Sequence, residues 1–334
     1  MPEHPFIIVI GASAGGIAPL SELMSQLEPD INAAIFIVLH LSNTGIGTLL
    51  KDKIQSVSSL PCTIAANAVP IQKGHVYIAP PDYHLIVKET TMLIKSGPPE
   101  SRWRPSIDIL LRSAAVTHTE KVIGIILTGL LDDGTSGMVA ISKCGGTTIV
   151  QDPEEAQFPD MPLSVLQAID VSHVSKLEGM GRLIKNVIKT KVLKKASVPY
   201  DLRMEAEIAE RTASGITDTM QLGKHTVYSC PGCGGGLWER KENELLTYRC
   251  YIGHKYTEPE LYRQQNQKLE TALWISVRMM EEKRNLLLKL RDQDRTKGFT
   301  KLSADYMERA REFEEHIKTM KSLLFFLHDS LSPS

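Results

Sequence analysis

From residue 6 to about 190, short β-branched apolar runs alternate with helix-length segments. FIIVI at 6–10 precedes 17–27, AIFIVL at 34–39 precedes 46–56, VIGIIL at 122–127 precedes 135–143, and TTIV follows at 147–150. That alternation predicts an α/β fold with a doubly wound, mostly parallel sheet and helices on both faces. Between about 60 and 100 the rhythm breaks into PCTIAA, HVYIAP, YHLIVK and TMLIKS, which reads as a β-hairpin excursion at one sheet edge.

Beyond residue 190 the pattern changes. Lys185, Lys189, Lys191, Lys194 and Lys195 lead into the acidic, small-residue stretch MEAEIAERTASGITD, so 191–225 reads as a linker. A compact Cys-rich segment occupies 226–258. In 259–334 two amphipathic patterns follow: Leu269, Leu273, Val277, Met280 and Leu287, then Leu302, Tyr306, Ala310, Phe313, Ile317, Met320 and Leu324. Steps of three and four place each set on one helix face, and RDQDRTKG between them suits a turn, predicting an α-helical hairpin. Two helices alone bury little apolar surface, so the hairpin is expected to pack on another part of the chain or on a second copy.

Composition narrows the class. At 334 residues the chain exceeds what one hydrophobic core usually supports, which fits one large domain, 1–190, plus smaller parts. The hydrophobic share of 42% and charged share of 23% are those of an ordinary globular protein. No apolar run approaches the ~20 residues of a membrane-spanning helix, so no membrane insertion is expected. The N-terminal MPEHPFIIVIGAS lacks a basic n-region and reads as a first strand, consistent with a cytoplasmic protein. A formal net charge of −1 favours neither nucleic acid nor anionic membrane.

The chemistry starts at the first turn. Gly11-Ala12-Ser13-Ala14-Gly15-Gly16 matches G-x-S-x-G, a strained strand-to-helix turn that lifts a serine hydroxyl above the sheet. The same turn leaves backbone N–H groups at a helix start, where they can stabilise an oxyanion. Taken alone, the turn also fits a phosphate-binding loop, although Ser13 replaces the second glycine of G-x-G-x-x-G and Ile17 the third. Two other strand ends change that balance: AIFIVL ends in His40, and VIGIILT runs into Gly129-Leu130-Leu131-Asp132-Asp133-Gly134. Ligands bind at the carboxyl ends of strands in open α/β sheets. Three such ends therefore supply a serine, a histidine and an acid, the set needed for a base-activated nucleophile.

Three of the five cysteines crowd together. Cys230-x2-Cys233, sixteen residues, then Cys250-x3-His254 offers four ligands on two knuckles for tetrahedral zinc, predicting a small zinc ribbon. A site closed by four protein ligands is structural, so no cofactor is expected in catalysis. Cys62 and Cys144 stand alone and read as small buried hydrophobes. The ribbon has no clear basic and aromatic stripe, so no nucleic acid is expected, and protein docking is favoured.

These motifs resemble the catalytic domain of the CheB family of chemotaxis protein-glutamate methylesterases over about residues 6–190. The matching segments are IGASAGG (10–16), LH (39–40), GHVYIAPPDYH (74–84), RPSID (104–108), ILTGLLDDGTSGM (126–138) and MP (161–162). The resemblance implies Ser13 as nucleophile, His40 as general base and Asp133, rather than its neighbour Asp132, as orienting acid. It implies an oxyanion pocket from the backbone N–H groups of Ala14 and Leu130. Arg104, with Ser106 and Asp108, takes a substrate-side or supporting role, and His84 a structural one.

The implied activity is hydrolysis of glutamyl γ-methyl esters on a methylated chemoreceptor or receptor-like protein, with deamidation of glutamine by the same route. The matching segments begin at the first strand, so control by an N-terminal receiver domain in cis is not expected. A catalytically idle signalling scaffold and an esterase for small esters are the competing readings. Self-association or binding of a signalling partner is expected of the C-terminal helices.

Overall fold

The computed structural model describes residues 5–40, 46–194, 196–211, 220–221, 223–242 and 245–331. They form two compact units, 1–260 and 261–334.

In the first unit, β1 (Phe6–Ala12), α1 (Ile17–Ser25), β2 (Ala33–Leu39) and α2 (Ile46–Val57) follow the expected alternation. After them come β3 (Cys62–Ile64), β4 (Val76–Ile78), β5 (His84–Val87), β6 (Met92–Lys95) and α3 (Ile107–His118). The series continues with β7 (Val122–Ile126), α4 (Thr135–Lys143), β8 (Thr147–Gln151), α5 (Asp160–Ala168), β9 (His173–Ser175), α6 (Leu177–Thr190) and α7 (Tyr200–Arg211). Among the described residues, seven strands make one sheet in the order β3-β4-β2-β1-β7-β8-β9, with every neighbouring pair parallel.

The apolar runs are continuous because the sheet is buried on both faces. In β1, Ile8 and Ile10 join one core with Leu20 and Leu23 of α1, Ile54 of α2 and Ile184 of α6. Ile7 and Val9 point the other way, into a core with Leu110 and Leu111 of α3, Met138 of α4 and Val165 of α5. Cys62 and Cys144 are buried in these cores, and burial pushes both thiols up to about 11.

The 60–100 stretch departs from expectation. β3 and β4 join the parallel sheet, and only β5 and β6 pair as a separate antiparallel hairpin. The stretch read as linker, 191–225, contains α7, which buries Leu202, Glu205 and Ile208; residues 195, 212–219 and 222 lie outside the described ones. An i, i+3, i+6 spacing inside a charged sequence hid that face.

The ribbon segment forms a four-stranded antiparallel sheet of β10 (Lys224–Ser229), β11 (Gly236–Glu242), β12 (Leu245–Cys250) and β13 (Lys255–Thr257). The compact division falls at 260/261, so this sheet belongs with the α/β part. Next come α8 (Glu258–Thr296) and α9 (Thr300–Leu331). Within the second unit Val277, Ile317 and Leu324 are buried together with Leu273, Met280 and Met320, the faces that the periodicity predicts. The turn is shorter than RDQDRTKG: the helix runs to Thr296, and Gly298 turns at φ +83.

Candidate active site

The order of the sheet reverses around β1, with β2 on one side and β7 on the other, so ligands are expected at the carboxyl ends of these strands. β1 and β2 run in register from Phe6↔Ala33 to Ala12↔Leu39, which brings Ser13 and His40 out side by side. The N–H of His40 donates to the Ala12 carbonyl at 3.1 Å, and that of Ser13 to the Thr128 carbonyl beyond β7 at 3.0 Å. The Thr128 hydroxyl receives the Phe158 N–H at 2.8 Å and donates toward the Ala14 carbonyl at 3.3 Å, fixing the turn after Ser13. Gly129 lies directly against Ser13. A Cβ there would stand 2.8 Å from the Ser13 Cβ and 2.1 Å from the Met161 sulfur, so only glycine fits.

Asp133 is almost wholly buried and accepts four hydrogen bonds. Its Oδ2 takes Nε2–H of His40 at 2.9 Å and the N–H of Ile107 at 2.8 Å. Its Oδ1 takes the Ser106 hydroxyl at 3.2 Å and the N–H of Asp108 at 3.1 Å. The carboxylate thus sits on the N-terminus of α3, where orphan donors and the helix dipole favour negative charge. Ser106 is the N-cap of that helix, which explains the RPSID signature at this point of the chain.

An ionised carboxylate only accepts, so Nε2 is the donor in this pair, and in the neutral ring the lone pair then falls on Nδ1. Nδ1 is buried and meets no hydrogen-bond partner among the described residues. Nδ1 makes no hydrogen bond to the Ser13 hydroxyl here, but a ring oriented by a carboxylate, with its other nitrogen unengaged at the strand end next to that of a serine, can act as a general base. Trp103 stacks on this imidazole, ring centroids 4.1 Å apart and planes at 9°. Sequence reasoning did not find Trp103; its place one residue before RPSID was the available signal.

Asp132 points elsewhere and accepts from the Thr257 hydroxyl. Among the described residues, no hydrogen bond takes up the N–H of Ala14 or Leu130, which leaves both donors at the Ser13 end of the sheet. Among the described residues Arg104 makes no hydrogen bond to Ser13, His40 or Asp133; its guanidinium donates to the Gly97 carbonyl at 3.1 Å and braces the loop before α3. His84 is a bracing residue too. Its Nε2–H donates to the Pro98 carbonyl at 3.0 Å, its Nδ1 accepts the Ser106 N–H at 3.2 Å, and burial keeps it neutral by pushing its pKa down. Asp108 accepts the N–H groups of Gly134 at 3.0 Å and Gly137 at 2.7 Å, tying α3 to α4. Burial, and then the charge of Asp133, pushes its carboxyl well up.

A family model described as CheB methylesterase matches residues 8–184. The chain belongs to the CheB methylesterase family. A Leptospira interrogans relative is 36% identical over 177 residues, 53% of this chain and 91% of that protein. Protein-glutamate methylesterase/protein-glutamine glutaminase 1 of Rhodospirillum rubrum is 34% identical over 188 residues, 54% of this chain but 48% of its own length. The chain therefore spans about half of that relative. The crystal structure of the Thermotoga maritima CheB methylesterase catalytic domain superposes with a TM-score of 0.53 at 30% identity, covering 56% of this chain and 99% of that one. The CheB match ends before the ribbon and hairpin.

Cys230, Cys233, Cys250 and His254 come together as the spacing predicts, their ligand atoms all within 4.8 Å of one another. Cys233 and Cys250 sulfurs are 3.7 Å apart, and His254 Nδ1 lies 3.7 Å from Cys230 Sγ and 3.4 Å from Cys250 Sγ. Tetrahedral zinc with bonds of about 2.3 Å to sulfur and 2.0 Å to nitrogen has edges of about 3.8 and 3.5 Å. The donor set fits the metal. Gly234 at φ +77 and Gly253 at φ +118 turn the two knuckles. A separate cleft of about 500 Å³, lined by Gln26, Asp30 and Lys185 among others, opens at the amino ends of the strands, away from Ser13.

Proposed function

We propose that Ser13, His40 and Asp133 form a hydrolytic triad that removes methyl groups from glutamyl γ-methyl esters of a methylated chemoreceptor or receptor-like protein. The observation that carries this is the buried His40–Asp133 pair at 2.9 Å, with the other ring nitrogen left without a hydrogen-bond partner among the described residues and His40 following the strand next to the one that ends at Ser13. Nδ1 of His40 takes the Ser13 proton as Oγ attacks the ester carbonyl. The negative oxygen of the tetrahedral intermediate is held by the N–H groups of Ala14 and Leu130. The imidazolium then protonates the departing methoxy oxygen, methanol leaves, and water repeats the sequence on the acyl-enzyme, returning a glutamate. Asp133 stabilises the imidazolium without taking its proton.

An amide differs from the ester only in its leaving group, so the same residues can deamidate glutamine, releasing ammonia. The double name of the Rhodospirillum rubrum relative supports this extension. Arg104 supports the loop that delivers α3, in keeping with its bond to Gly97. Catalysis takes no cofactor. Cys230, Cys233, Cys250 and His254 would hold a structural zinc, closed by four protein ligands and supplying no reactive position. We place the protein in the cytoplasm, where a receptor's signalling domain lies; no described helix is long and apolar enough to cross a membrane. The α8–α9 hairpin is the part we assign to a signalling partner or a second copy.

The test is methanol release from enzymatically methylated receptor-containing membranes, comparing wild type with Ser13→Ala and His40→Gln. Release by wild type and loss of at least three orders of magnitude in both variants is the expected result. No release by wild type would overturn the substrate assignment, and release by Ser13→Ala the nucleophile. Turnover of p-nitrophenyl esters without any release from receptor would favour an esterase for small esters.

A further inference from the structure

The last ribbon strand reaches the machinery around the triad from two directions. β13 begins directly after the metal-ligand residue His254. Its backbone is bonded into the loop before α3: the Lys255 carbonyl accepts the Ser101 N–H at 2.8 Å, and Glu100 and Lys255 form a parallel bridge. The Glu100 carbonyl in turn accepts the N–H of Trp103 at 2.9 Å, and Trp103 is the ring stacked on His40.

The side chains of β13 reach the other loop. The Thr257 hydroxyl donates to Asp132, the residue covalently preceding Asp133. Lys255 Nζ donates to the Ser136 hydroxyl in the first turn of α4 at 3.0 Å and to Glu205 of α7 at 2.9 Å. Both Lys255 and Thr257 are buried. The junction behind them is a network of buried charges. Arg112 of α3 pairs with Glu100 at 2.7 Å and Glu205 at 3.4 Å, Arg249 of β12 binds Glu100, and Arg240 of β11 binds Glu205 at 3.0 Å. Buried charges of this kind tolerate little displacement, because each lost partner leaves the remaining ions less well compensated away from water. The ribbon therefore cannot shift without disturbing the loops that carry the triad acid and the ring over the base.

We propose that β13 is a positioning clamp for the triad, with Thr257 and Lys255 as positioning residues that hold the Asp133 loop and the Trp103 loop at the spacing His40 needs. The zinc ribbon is then a working part of the hydrolase, and a ribbon folded by its metal sets the geometry of the His40–Asp133 hydrogen bond. This inference rests on the triad assignment, and its test separates the two.

The probe is the proton on His40 Nε2, whose bond to a buried carboxylate should place it far downfield in the proton NMR spectrum. It is observed in the Ser13→Ala background, where no turnover is required. Thr257→Val removes the hydroxyl while keeping the shape; Thr257→Ser keeps the hydroxyl. Because the Thr257 oxygen also accepts the Glu260 N–H at the start of α8, Asp132→Ala is included to break the same contact from the other side.

Expected in Thr257→Val and Asp132→Ala are a shifted or broadened downfield signal, zinc content unchanged at one per chain, and, with Ser13 present, kcat lowered about tenfold at unchanged KM. Thr257→Ser should restore both readouts, and the Thr257→Val/Asp132→Ala double variant should be no worse than either single one. A downfield signal and kcat that stay at wild-type values in Thr257→Val, or additive losses in the double variant, would overturn the clamp. Methanol release that survives Ser13→Ala would sink the triad reading instead, while leaving the NMR comparison intact.

Discussion

Glu100 is a buried anion whose loss has a calculable cost. It is 2% exposed, its carboxylate held by Arg112 and Arg249. Burial alone would raise its pKa, but the charges of Arg112, Arg249 and Lys255 outweigh it and hold the group down at about 2, against an ordinary 4.5. A depression of about 2.5 units is worth roughly 3 kcal/mol of folding stability, at about 1.4 kcal/mol per unit. The folded value lies below the unfolded one, so this stability is fully present above about pH 4.5 and drains away as pH falls toward 2.

The perturbation is Glu100→Gln, which keeps the shape and removes the titration. Urea unfolding of both proteins at pH 6 and pH 3, followed by tryptophan fluorescence at equal zinc, measures the difference. At pH 6 the variant should be less stable by roughly 3 kcal/mol, and the gap should narrow by about 2 kcal/mol at pH 3. Effects of acid on the metal ligands act on both proteins and cancel in the comparison. A gap of the same size at both pH values would refute the argument that Glu100 is an anion caged by three cations.

Asp133→Asn should leave the chain folded but lower kcat for methanol release by about 10³ to 10⁴, because an amide no longer enforces the Nε2–H tautomer of His40. Gly129→Ala should cost at least about 10² in activity by pushing Ser13 or Met161 out of place, with cooperative thermal unfolding retained. Cys250→Ser should drop the metal content, read by elemental analysis, well below one zinc per chain. The same variant should unfold at lower temperature than wild type, and full metal content with unchanged Tm would remove the ribbon's metal from the account.

Much of this was legible along the chain. Continuous apolar runs ending in Ser13, in His40 and before Gly129–Asp133 announced a parallel sheet with its chemistry at the carboxyl ends, because period and strand-end position are local properties. The cysteine spacing was legible for the same reason: two short knuckles encode their own geometry. Less legible were α3 and α7. Each carries its meaning in what it meets: α3 caps the Asp133 carboxylate, and α7 brings Glu205 to three cations that lie elsewhere in the sequence.

The α/β class, the serine, histidine and acid at strand ends, and the grouping of Cys230, Cys233, Cys250 and His254 could be read along the chain, since each rests on residues close together in it. Which aspartate meets His40 was settled along the chain only by resemblance. In three dimensions the distinction is physical: Asp133 faces the N-terminus of α3 and the imidazole, while Asp132, one peptide away, turns toward Thr257. The stacking of Trp103 on His40 and the weld between ribbon and hydrolase arise only when distant segments meet. Those contacts join residues up to 149 positions apart, and their strength comes from shared burial, which no local pattern of polar and apolar residues encodes.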